Sequence, residues 1–197
     1  AYQFALLAAD QALHQAGLEP ASESEAVGLF FCTDHGAEEQ SSQFLNDLFL
    51  KSPRLVRPLL FQNTTFAAGA GELSLHYRIK GPSYTLTSGF HAFILALTLA
   101  AAAVSVGRIR YALVVACDEL TCLQYQVLSN LGVLAKSPTI RPYDERRDGI
   151  IPAEGAAALL VEPEDLARER GAPILGLIAG TGGSHDSMPK RASDPSG

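Results

Sequence analysis

In the stretch GPSYTLTSGFHA, Gly81 to Ala92, a hydroxyl and an imidazole lie three residues apart where a strand-like segment runs into a helix. A helix N-terminus at such a junction can acidify a nucleophile. Ser88 and His91 are the side chains there with usable chemistry, and Phe90 stands between them with none. Ser88 lacks the G-x-S-x-G surround that holds a serine on a nucleophile elbow. His91 enters an alanine-rich segment, where a single histidine is expected to be a packed, hydrogen-bonded core residue. The three cysteines, Cys32, Cys117 and Cys122, show neither C-x-x-C spacing nor histidines placed as zinc ligands would be. They read as reduced thiols, no metal site is expected, and the compartment implied is the cytoplasm.

Composition narrows the class of protein that positions these groups. With 47% hydrophobic and 18% charged residues in 197, the chain is expected to be an α/β domain that buries a sizeable core. A net charge of -6 and a pI near 5.3, with no run of Lys or Arg, argue against a nucleic-acid surface or a patch for anionic membrane. Arg54, Arg57 and Arg78 are scattered and read as a solvated face. The longest apolar tract, Ala92 to Val106, is too short to span a bilayer and reads as a buried helix. The chain starts without Met inside a helical pattern and stops after a loop-like run, so truncation at both ends is expected.

The periodicities place the elements. Phe4 to Ala16 repeats apolar residues at helical spacing and is closed by Gly17 and Pro20. Ala26 to Cys32 and Arg110 to Ala116 are short continuous apolar runs, expected to be buried strands. Glu38 to Phe49 fits an amphipathic helix, Lys51 to Pro58 a Pro-punctuated loop, and Thr64 to Tyr77 a small-residue helix packed closely on a neighbour. Ser83 to Thr87 reads as a strand feeding the helix Phe90 to Val106. An apolar run within Gly149 to Val161, a helix over Pro163 to Gly171 and a last strand over Pro173 to Ala179 complete the order. Strands alternating with helices predict a mixed, mostly buried sheet covered on both faces.

Four segments together resemble the N-terminal half of a β-ketoacyl-(acyl carrier protein) synthase of the thiolase fold. They are AGLEP at Ala16 to Pro20, GPSYT at Gly81 to Thr85, VVACDE at Val114 to Glu119, and RPYDERRDGIIPAEGAAALLVEPEDLARERGA at Arg141 to Ala172. The terminal SHDSMPKRASDPSG is similar to the family loop that leads into the second half. The resemblance implies a layered α-β-α half, residues 1–197, cut at both ends. In the long segment, Arg141, Asp144, Arg147 and Asp148 are charges that can pair in a tight loop. Gly149 and Gly155 permit close backbone approach there, and Glu154 belongs to the family string. All are expected to be structural.

In the active synthases the segment after GPxxT reaches a cysteine at a helix start, which accepts the acyl chain from a phosphopantetheine arm. Laid on this sequence, Phe90 occupies the cysteine position, with Thr87 and Ser88 on the approach and His91 just after. Cys32 and Cys117 fall where the family has glycines, and Asn63 matches an Asn before a small-residue helix, expected to cap it or to lie at an interface. The family's two catalytic histidines and lysine belong to the second half, and His185 matches neither histidine.

The reading that follows is a ketosynthase-like subunit without an acyl-accepting cysteine, similar to a chain-length factor. Phe90 would fill the pocket apex, beside Thr87, Ser88, His91 and Asn63 along the tunnel or interface. The implied partners are an active ketosynthase in a heterodimer, or a second copy, and an acyl carrier protein. No cofactor of its own is implied, only phosphopantetheine-linked chains delivered by the carrier. Two alternatives stand beside it: a divergent synthase or malonyl decarboxylase, and a non-catalytic scaffold. A decarboxylase would be served by a Gln at position 90, whose amide can bond a carbonyl.

Overall fold

The computed structural model describes residues 2–183, apart from the side chain of Phe90. Four strands, β1 (Val27–Cys32), β2 (Ser83–Leu86), β3 (Tyr111–Asp118) and β4 (Gly155–Val161), form one sheet in the order β2-β1-β3-β4. β1 runs parallel to both β2 and β3, while β4 is antiparallel to β3, which makes the sheet mixed. The central pair is Val/Leu/Phe-rich and buried on both faces, as continuous apolar runs require.

Side-chain alternation sorts the core into two layers. Val27, Leu29 and Phe31 of β1, with Leu113, Val115 and Cys117 of β3, face helices α1 (Tyr2–Ala16) and α4 (Ala68–Tyr77). Phe30, Cys32, Ala112 and Val114 face the opposite way, onto α5 (Ala92–Ser105). In α5 the buried positions are Ala92, Ala96, Ala100 and Val104, a stripe at four-residue spacing that lets the helix lie close to the strands. Its other side leaves Ile94, Leu95 and Leu99 exposed, so the tract expected to be a buried helix is buried on one face only. The small residues of α4 serve the same close approach: a Cβ on Gly69 would stand 2.4 Å from the Phe31 ring.

The remaining elements differ in detail from the sequence expectation. α2 (Glu38–Asn46) passes into a π-helical turn over Asp47–Lys51, where the Asp47 carboxylate accepts from Lys51 Nζ at 2.6 Å and Arg57 Nε at 3.4 Å. Those cations hold Asp47 below the usual carboxylate range, the Lys51 hydrogen bond most of all. Arg54, Arg57 and Arg78 are all exposed, in keeping with a solvated face; Arg57 pairs with Asp47 from solvent and Arg78 is the left-handed cap of α4. A short helix α3 (Pro58–Gln62) and a nine-residue helix α6 (Cys122–Asn130) have no counterpart among the expected elements. α7 (Glu164–Glu169) carries Glu164 and Asp165 in its first turn and Arg168 in its last, matching its dipole. Pro173 to Ala179, expected to be a strand, has no regular structure. Its side chains line a groove of about 930 Å³ beside β4, α1 and α5, and β4 has no strand on its outer edge among the described residues.

Candidate functional site

The three parallel strands all end on one side of the sheet, at Cys32, Leu86 and Asp118, and α5 begins there. The crevice outside the carboxyl ends of parallel strands is where α/β folds place their chemistry. β2 leads through Thr87 and Ser88, both exposed, into a single 3-10 turn, Gly89–His91, that carries Phe90 and continues as α5. Gly89 has φ of 60°, in the left-handed region, which lets the chain turn from strand to helix. Ser88 stands at the N-cap without a side-chain capping bond. His91 is exposed, which corrects the expectation of a packed core histidine: the helix start faces outward at the sheet edge.

The second wall of the crevice is the loop after β1, and Asp118 organises it. Thr33 donates its hydroxyl to Asp118 Oδ1 at 2.8 Å, and the Asp34 N–H donates to Oδ1 and Oδ2 at 2.9 and 3.1 Å. The His35 N–H reaches Oδ1 at 3.2 Å, while Thr33 Oγ1 accepts from the Gly36 N–H at 2.9 Å. One carboxylate at the end of β3 thus satisfies two backbone donors and a hydroxyl of the neighbouring strand's exit. Asp34 Oδ1 is the nearest atom, 3.7 Å, to where a Cβ on Gly89 would be, so the two walls meet at the turn that carries Phe90. Sequence reasoning misses Asp34 and Asp118. The available signal is a Thr-Asp-x-Gly turn following one buried strand and an acid closing the next.

Further bonds fasten the crevice to α2 and α6. Thr121 donates to Glu38 Oε2 at 2.6 Å and forms a capping box with Gln124, starting α6. The Glu39 N–H donates to Glu119 Oε1 at 3.0 Å, and the Leu120 N–H to Glu154 Oε2 at 3.5 Å. Glu154 is accordingly a bond across the sheet end.

The other sequence-selected residues fall outside the crevice wall. Asn63 ends α3 as its C-cap, and Ala67 stands at the N-cap of α4, so its capping applies to the helix before it. In the charged loop Asp144 pairs with Arg146 at 3.0 Å, while Arg147 donates to the Asp144 carbonyl. Arg146 holds Asp144 below the usual carboxylate range. Burial works to raise Asp148, but the Ser137 N–H at 2.9 Å and hydroxyl at 3.1 Å, with the field of Arg141, outweigh it and leave it lowered. Gly149, at φ of 148°, leaves no room for a Cβ against the Leu134–Ala135 backbone. Gly155 stands in open space, so close approach is needed at the first glycine only. His185 and SHDSMPKRASDPSG lie outside the described residues.

Cys32 lies directly beneath the α5 start, its thiol directed at the Ala92 carbonyl at 3.6 Å. Burial first, then the Asp118 charge, push this thiol up to about 12. Burial likewise raises Cys117 to about 11. Both thiols are thus held in the protonated form near neutral pH, which works against nucleophilic behaviour. Cys122 is exposed on α6. Brief iodoacetamide treatment of the native protein at pH 8 is expected to alkylate Cys122 and spare Cys32 and Cys117; peptide mass spectrometry showing Cys32 modified first would contradict this. Among the described residues no group of three His, Cys, Asp or Glu side chains is arranged to hold a metal ion.

The parallel three-stranded core with an antiparallel fourth strand and helices on both faces is an α/β architecture of the thiolase-like class. The chain belongs to the β-ketoacyl synthase family: the family's "Beta-ketoacyl synthase, N-terminal domain" matches residues 1–167. A putative polyketide beta-ketoacyl synthase 2 of Streptomyces cyaneus is 33% identical over 197 residues, covering 92% of this chain and 46% of that protein. The tetracenomycin polyketide synthase ketoacyl synthase beta subunit of Streptomyces glaucescens is 30% identical, covering 95% and 47%. The chain thus spans about half the length of the curated relatives it matches. Among solved structures, a Burkholderia phymatum STM815 β-ketoacyl synthase superposes with a TM-score of 0.78 at 26% identity over 87% of this chain and 44% of that one. A type II polyketide-synthase acyl-carrier protein in complex with its ketosynthase bound to the hexaketide gives 0.78 at 25% identity, covering 87% and 45%. No helix among the described residues is long and apolar enough to cross a membrane.

Proposed function

We propose that this chain is part of a non-condensing, chain-length-factor-like subunit that pairs with an active ketosynthase in polyketide or fatty-acid-type chain elongation. The observation that carries the reading is Phe90 on the 3-10 turn that leads into α5, the position on which the GPxxT motif of the resemblance lays the acyl-accepting cysteine of the active members. A phenyl ring cannot be acylated. The Cys32 thiol, directed at the carbonyl of Ala92, the first residue of α5, is buried and held protonated, so it supplies no substitute thiolate at the helix start. The likeness to a ketoacyl synthase beta subunit supports the assignment to the non-condensing branch. The ring at position 90 then bounds the space for a growing chain delivered on phosphopantetheine by an acyl carrier protein. The outer edge of β2, where Tyr84 stacks on Phe30 and remains 37% exposed, is the surface offered to the partner synthase.

The test is intact-protein mass spectrometry of the full-length protein with its partner synthase after incubation with acyl and malonyl carrier protein. Acylation is expected on the partner alone, and Phe90→Ala is expected to shift the product distribution towards longer chains. Acylation of this chain would overturn the reading in favour of a divergent synthase, and Ser88 would be the first residue to examine.

A further inference from the structure

We draw no further inference here: the strongest candidate, the apolar groove of about 930 Å³ between the outer edge of β4, α1, α5 and residues 173–179, carries nothing because nothing in the structure shows what covers it.

Discussion

Replacing Gly81 by alanine is expected to destabilise the protein by more than about 4 kcal/mol, enough to unfold a domain of ordinary stability. A Cβ at this position would stand 2.1 Å from the Val27 carbonyl oxygen, 2.9 Å from its carbon and 3.1 Å from the Glu25 oxygen. All three are backbone atoms, so no side chain can rotate away. The turn cannot retreat either. The N–H groups of Lys80 and Gly81 both donate to the Ser24 carbonyl, and the Leu29 N–H donates to the Pro82 carbonyl at 2.9 Å, which begins the β1–β2 pairing. Any shift that admits the methyl group breaks the register that delivers β2 to the Phe90 turn. Urea unfolding checks this, with a midpoint change below about 0.5 M counting against it. Gly71→Ala, whose Cβ enters open space on α4, is the control and should stabilise by about 0.5–1 kcal/mol.

Asp118→Ala removes the acceptor for two backbone N–H groups and a hydroxyl at the exit of β1. Bonds to an ionised acceptor contribute about 1.5–3 kcal/mol each, and the loop's partial exposure allows water to replace some of them. The expected net loss is about 3–4 kcal/mol, concentrated in residues 33–39. Hydrogen exchange followed by mass spectrometry should show protection lost there and retained in β3, whose core packing through Val114 and Val115 is untouched. Asp118→Asn keeps one acceptor oxygen and is expected to lose about half as much. Uniform loss of protection across the sheet would show that Asp118 supports the fold at large and not the crevice wall.

The elements that could be read from the chain are those whose pattern is local. Val27–Cys32 and Tyr111–Asp118 declare themselves because a strand covered on both faces must be apolar at every position, and α1 because its apolar residues recur at helical spacing. α6 escapes because it buries none of its residues, so it shows no apolar stripe; only its Thr121–Gln124 capping box marks it. Pro173 to Ala179 has the hydropathy of a strand without an adjoining strand to complete a ladder among the described residues, and hydropathy carries no information about hydrogen-bond partners.

The same division runs through the site. Phe90, Thr87, Ser88 and His91 are neighbours in sequence, so their placement at one helix start follows from the order strand, turn, helix. The family motifs, too, are strings of adjacent residues. What the tertiary structure alone decided is that Asp118, 84 residues from Asp34, closes over the β1 exit and sets the Asp34 carboxylate beside Gly89. It also decided that α5 buries an alanine stripe and leaves Ile94, Leu95 and Leu99 outward. The amino-acid sequence determined the fold class, the family and the phenylalanine at the helix start, because each depends on residue types at short separations. Which charges face that helix start depends on the parallel register of β1 with β2 and β3, a long-range pairing set by packing of the whole sheet.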